Sequence, residues 1–138
     1  MRVTVDTNIL VSATFWCGAS DIIISQAESK SIQLILSEEI IKEYSNVLEY
    51  KEIQDKIKDK DIEMKRTVKK IISISTIIAP KEKINIVKDD SDNNKILECA
   101  KAGNVDYIVS NDKHLLKLGK FENIPIVTPE EFLKKSEK

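Results

Sequence analysis

Short apolar segments of strand character alternate with helix-patterned segments along the whole chain, and this alternation predicts a parallel β-sheet with helices on both faces. Arg2–Asp6 reads as the first strand, with Val3 and Val5 on one face. Ala19–Glu28 reads as a helix with Ile22, Ile23 and Ala27 inward. Gln33–Leu36 is a second strand, and Ser37 is placed to cap the helix after it, because its hydroxyl can accept from free backbone N–H groups. In that helix Ile40, Ile41, Tyr44, Val47 and Leu48 follow helical spacing. Ile77–Ala79 is a third strand ended by Pro80, and Lys81–Asp89 a loop with a short extended piece. Asp92–Ala102 is helical and closed by Gly103-Asn104. Tyr107–Ser110 is a strand, Asn111–Leu118 a short helix and Ile124–Val127 a last strand. Thr128, Pro129 and Glu131 then have the pattern of a capping box opening a final helix. In such sheets the connections are right-handed, and sites lie off the carboxyl ends of the strands.

The acids fall at that edge. Asp6 follows the first strand directly, and Asp112 follows the Tyr107–Ser110 strand by two residues. Each alone also reads as a turn or cap residue. Glu43 borders the apolar stripe of its helix more closely than Glu38, Glu39 or Glu49 does, so it can reach over the sheet edge or stay a boundary residue with its head in water. In the Asp92–Ala102 helix, Ile96, Leu97 and Ala100 face inward, and Asn93 is the inward position one turn earlier. Asp92 lies on the flank. Asp89, Asp90 and Asp92 also suit simple capping beside a helix N-terminus.

Gathering carboxylates is unfavourable: at about 4 Å and an effective dielectric near 20, each pair costs roughly 4 kcal/mol. A cation offsets this. Oxygen ligands without a His/Cys set point to Mg²⁺ or Mn²⁺ rather than Zn²⁺. Such ions activate water and stabilise charge on a phosphate during displacement.

Composition narrows the rest. With 138 residues the chain is expected to be a single domain spanning 1–138, able to bury a core without disulfides or structural metal. The net charge of −1 and an aromatic content of 5% exclude binding of nucleic acid by bulk charge or by extensive base stacking. Lys51 to Lys70 carries eight basic residues against five acids and reads as a surface helical pair, either a solvated face or a contact surface for RNA or a partner. Cys17 and Cys99 show no metal spacing and read as free thiols, small and buried. No signal segment opens the chain, and the apolar stretch Ile71 to Ala79 is too short for a bilayer. A cytoplasmic protein with no membrane association is the expectation.

Three segments, in order, resemble the PIN-domain family: VTVDTNILVSA, LILSEEIIKEYSNVL, and DNNKILECAKAGNVDYIVSNDKHLLKLGKFENIPIVTPEEFL. The last is similar to the VapC-like branch, the toxins of toxin–antitoxin systems. The resemblance covers Val3 to Leu133 and implies a three-layer α/β/α fold around a parallel sheet and a metal-dependent ribonuclease. By that resemblance Asp6, Glu43 and Asp112 match metal-site acids, while Thr7, Asn8 and Ser110 match polar residues that orient them. It also implies a homodimer and a small antitoxin partner. The chain departs from the family at Asn93, where an aspartate is usual. Asn ligates through its carbonyl oxygen without charge, and Asp92 or Asp90 can substitute after a small shift of the helix start. Asp6, Glu43, Asp92 and Asp112 are thus the candidate catalytic and metal-binding set, with Asp90 and Asn93 as alternates and Mg²⁺ or Mn²⁺ as cofactor.

His114, two residues after Asp112, reads as a surface or partly packed helix residue or as a general acid. Trp16 reads as packing in the loop after the first strand or at a dimer surface, or as a substrate contact. Two functions stand against each other: a metal-dependent endoribonuclease, and a PIN-like RNA- or partner-binding module with a weakened metal site. A receiver-like or phosphatase reading fails, because Asp6-Thr7-Asn8 has no second aspartate two positions on and no lysine pattern completes it.

Overall fold

The computed structural model describes residues 1–16, 18–57, 61–87 and 92–136. Six strands form a sheet: β1 (Arg2–Val5), β2 (Gln33–Ser37), β3 (Ser75–Ile78), β4 (Tyr107–Val109), β5 (Lys120–Phe121) and β6 (Ile124–Val127). Their order is β3-β2-β1-β4-β6-β5, parallel throughout except that β5 runs antiparallel to β6. Among the described residues eight helices connect or flank them: α1 (Thr7–Phe15), α2 (Ala19–Glu28), α3 (Glu38–Leu48), α4 (Lys51–Ile57), α5 (Asp61–Ile74), α6 (Asp92–Gly103), α7 (Lys113–Leu118) and α8 (Pro129–Ser136).

The chain steps from β1 outward to β2 and β3, then crosses back to β4 on the other side of β1. Right-handed crossovers put the outward connections on one face and α6 on the opposite face, where it packs across β1, β2, β3 and β4. On the first face α1 packs against α2, α3 and α5, and α2 against α8. This is the expected three-layer α/β/α arrangement. No single helix among the described residues is long and apolar enough to cross a membrane.

The central strand is covered on both faces: Val3, Thr4 and Val5 are all fully buried, as a parallel strand between helical layers requires. The core is aliphatic, with Ile9, Leu10, Leu34, Ile35, Leu36, Ile40, Leu97 and Ile108 fully buried and Tyr44 and Phe132 as its large aromatics. At the end of α6 the backbone comes so close to β2 that a Cβ on Gly103 would lie 2.6 Å from Ile35 Cγ2. Gly103 also accepts a 2.8 Å hydrogen bond from Arg2 Nε, which ties α6 to the first strand.

Several elements differ from the sequence expectation. Residues 7–15 form a helix, α1, rather than a loop; Ile9, Leu10 and Val11 are buried in succession, so no amphipathic period marks it. In α2 it is Ile23, Ile24 and Ala27 that are buried, while Ile22 is 48% exposed. Strand β3 is Ser75–Ile78, earlier than expected, and residues 79–87, the described part of the loop that follows, join no strand of the sheet. Strand β5 was not foreseen. Residue 17, the lysines and aspartate at 58–60, and residues 88–91 lie outside the described residues, so the expectations for Cys17, Asp89 and Asp90 stay where they were; the side chain of Asp92 is likewise outside them.

Candidate functional site

The strand order reverses direction between β1 and β4, which creates the crevice where ligands settle in open α/β sheets. Register fixes what lies there. Val5 pairs with Val109, so the next residues, Asp6 and Ser110, face each other across the same edge. The Ser110 hydroxyl donates to Asp6 Oδ2 and accepts from the backbone N–H of Asp112 at 2.9 Å. One buried serine thereby ties the two strand-end acids into one unit.

Both acids are also helix caps. Asp6 N-caps α1, its Oδ1 accepting from Ile9 N at 3.0 Å. Asp112 N-caps α7, its Oδ1 accepting from His114 N at 2.8 Å and Leu115 N at 3.3 Å. Capping and membership of a site are not alternatives here. The cap bonds and the positive ends of the two helix dipoles lower the repulsion between the carboxylates and orient each side chain by one oxygen.

Asp6, Thr7, Asn8, Glu43, Asn93, Ile96 and Asp112 line a single pocket of about 60 Å³, a space that holds a few waters or a hydrated ion. Asp6, Thr7 and Asn93 are buried, while Glu43 and Asp112 are half-buried at its rim. Burial pushes the Asp6 carboxyl above the usual carboxylate range; the Ser110 hydroxyl and the Ile9 N–H work against that, and the nearby Asp112 charge adds to it. Asn93 Nδ2 donates to Asp112 Oδ1 at 3.0 Å, so the inward amide sits against an acid. Thr7 is 4% exposed and lines the pocket, and its buried hydroxyl has no hydrogen-bond partner among the described residues. A buried unpaired hydroxyl calls for a partner, and a water or an oxyanion in this pocket would supply one.

Among the described residues no three carboxylate, imidazole or thiol groups form a metal cage by themselves. A full cage is not required of this chemistry: Mg²⁺ commonly keeps several waters and takes one or two carboxylates. Two aspartates, a rim glutamate and hydroxyl and amide oxygens around a small polar pocket fit a hard divalent ion. The sequence candidates Asp6, Glu43, Asn93 and Asp112 come together, with Thr7 and Asn8 in the wall and Ser110 beneath. His114 and Trp16 do not line the pocket. Ile96, which forms the apolar part of the wall, was read only as a core residue.

Beside the pocket, sharing Glu43, runs a groove of about 300 Å³ lined by Glu39, Lys42, Glu43, Asn46, Tyr50 and Lys95. Among the described residues, none of the basic residues from Lys51 to Lys70, the stretch expected to offer a contact surface, lines it. The signal that would have found the groove is the spacing 39, 43, 46, 50, one ridge of a helix. A somewhat larger cavity, about 350 Å³, lies between residues 79–84 and α6 and includes Glu98 and Lys101. It shares no lining residue with the pocket of the strand-end acids, and its size alone gives it no chemistry.

The sequence model of the PIN domain family matches residues 2–114 of this chain. Among solved structures, that of PAE2754 from Pyrobaculum aerophilum is similar, with a TM-score of 0.61 over 99% of this chain and 98% of that one, at 14% sequence identity. At that identity the likeness speaks to the fold. No curated protein matches the chain. Members of the PIN family are generally nucleases and usually use divalent metals.

Proposed function

This chain belongs to the PIN domain family, and from that premise we propose that it is a metal-dependent endoribonuclease, a phosphodiester hydrolase acting on RNA. The observation that carries this reading is the joining of Asp6 and Asp112 through Ser110, at the switch point of the sheet, in one pocket with Glu43. Asp6, Asp112 and Glu43 would hold Mg²⁺ or Mn²⁺, with Asp92 or Asp90 as a further acid. When bound, the ion supplies an activated water and screens charge on the phosphate. The chain's own residues prepare the place: Ser110 fixes both aspartates, the two helix N-termini orient them, and Thr7 offers a hydroxyl that a phosphate oxygen or water can meet. Ile96 keeps one wall apolar and restricts water there.

A second reading is favoured by one contact. The Asn93 amide on Asp112 puts a neutral donor where an acid would add charge, which suits a binding module with a weakened metal site. The narrower assignments are proposed on the sequence resemblance alone: a toxin paired with a small antitoxin, a homodimer and a cytoplasmic location. Cleavage of single-stranded RNA that requires Mn²⁺ or Mg²⁺ and is lost in Asp6→Asn tests the nuclease against the binding module.

A further inference from the structure

Glu39, Glu43, Asn46 and Tyr50 succeed one another at steps of four, three and four residues, so they form one ridge along α3 and just past its end. Lys42 stands beside this ridge, and Lys95 reaches the same groove from α6. Glu43 belongs to both the groove and the acid pocket. Anything seated in the groove is therefore next to the strand-end acids.

The groove has the parts that hold one stretch of single-stranded nucleic acid. Tyr50 is 55% exposed. Its backbone does structural work, donating to Val47 O and accepting from Ile53 and Gln54 at the junction of α3 and α4. Its ring is left on the surface, where an aromatic face is a stacking platform for a base of any sequence. Lys42 and Lys95 bring positive charge for phosphates, and the Asn46 side chain brings a donor and an acceptor. Glu39 and Glu43 oppose the lysines, so the groove gains a basic excess only when Glu43 is engaged with a cation at the pocket. Glu43 lies five residues, about 8 Å of helix rise, before the end of α3 at Leu48, and Tyr50 follows two residues on, a reach of a nucleotide or two of extended strand.

We infer that this groove is the substrate subsite of the chain: it holds the single-stranded RNA flanking the phosphate at the acid pocket, with Tyr50 stacking on a base and Lys42 and Lys95 on the backbone. The inference rests on the nuclease reading for its orientation, since that reading places the reacting phosphate at the pocket. It also accounts for RNA contact in a chain with few aromatics and a net charge of −1, because one ring and two lysines suffice locally.

The test is binding of a fluorescein-labelled hexauridylate, followed by anisotropy in EDTA and again in Ca²⁺, for wild type, Tyr50→Ala, Tyr50→Phe, Lys42→Gln and Lys95→Gln. The expected result is a loss of affinity of about 5- to 100-fold in Tyr50→Ala, the range found for one stacked base, largely recovered in Tyr50→Phe. The two lysine variants should each reduce the slope of log affinity against log salt by about one. Thermal melting of Tyr50→Ala at the wild-type midpoint shows that the exposed ring was not needed for the fold. Tyr50→Ala binding within twofold of wild type, or a wild type that does not bind the oligonucleotide, overturns the subsite. A wild type that binds through Tyr50 but cleaves nothing in Mn²⁺ supports the groove while removing the nuclease reading, so the two fail separately.

Discussion

Asn93 Nδ2 donates to Asp112 Oδ1 at 3.0 Å, so this inward amide of α6 is spent on the acid at the end of β4. The same oxygen already accepts from the backbone of His114 and Leu115. In the protein without metal this third donor stands in for part of the positive charge that a cation would bring.

Replacing Asn93 with Asp removes that donor and sets two carboxylates side by side. An unscreened pair at about 4 Å costs roughly 4 kcal/mol at a dielectric near 20; partial exposure of Asp112 reduces this to about 1–3 kcal/mol. Asn93→Asp is expected to melt lower than wild type in EDTA and to bind Mn²⁺ at least tenfold more tightly by calorimetry. Equal Mn²⁺ affinity in the two proteins would show that position 93 does not contribute to the ion's site.

Asp6 carries its own signed prediction. Burial, the largest influence, raises its carboxyl above the ordinary value, so the folded, metal-free protein holds this proton more tightly than the unfolded chain does. The unfolded chain releases the proton first as pH rises, and stability falls from the ordinary carboxylate range up to the raised value. Asp6→Asn fixes the neutral form. At pH 7 in EDTA it should melt at or above wild type, while added Mn²⁺ should stabilise wild type and leave Asp6→Asn unmoved. A variant melting well below wild type in EDTA would mean that the charged carboxylate is a net structural asset.

Ser110 is fully buried and serves both acids. Ser110→Ala leaves the Asp112 N–H without its acceptor and Asp6 Oδ2 without its Ser110 donor, a cost of about 1–3 kcal/mol. Partners that orient metal ligands typically matter by about 10- to 100-fold in affinity, and a loss of Mn²⁺ affinity of that size is expected from titration. Unchanged affinity in a destabilised protein would confine Ser110 to the fold.

Cys99 lies under the sheet, near Thr4 Oγ1 at 3.5 Å, and burial pushes its thiol from 9.0 to about 11. Below pH 9 the thiol is protonated in both folded and unfolded chains and pH has no effect through it. Between about 9 and 11 the unfolded chain alone ionises, so stability falls as pH rises, by about 2–3 kcal/mol in all. Denaturant melts of wild type and Cys99→Ala across pH 8 to 11 isolate this share, and parallel pH curves for the two proteins would contradict it.

What the sequence made legible was what neighbouring residues decide among themselves. The Ser37 cap is in place, its hydroxyl accepting from Ile40 N at 3.2 Å. The capping box at Thr128 and Glu131 closes in both directions, at 3.2 and 3.4 Å. Asn93 points inward as the wheel of α6 required. Helix α1 was not legible because both its sides are covered, which erases the polar half of the pattern. The phase of α2 was ambiguous because Ile22, Ile23 and Ile24 are equally apolar, and only packing selects the outward one. The site acids could be placed at the same sheet edge, but the tie through Ser110 depends on the register of β1 on β4, and register is a tertiary fact. Tyr50, just past α3, and Lys95, on α6, line one groove although they are far apart in the chain, and no local pattern joins them.

Hydrolysis of RNA with a divalent ion at the pocket joining Asp6, Glu43 and Asp112 is what separates a nuclease from a binding module. It is tested most directly by incubating a mixed-sequence single-stranded RNA with wild type, Asp6→Asn and Asn93→Asp in Mn²⁺, Mg²⁺ or EDTA and resolving the products on a denaturing gel. Wild type should cleave the RNA, EDTA and Asp6→Asn should each abolish that cleavage, and Asn93→Asp should cleave at lower Mn²⁺ concentration. RNA left intact by wild type and by Asn93→Asp at every metal concentration, or cleavage that persists undiminished in Asp6→Asn, would contradict it.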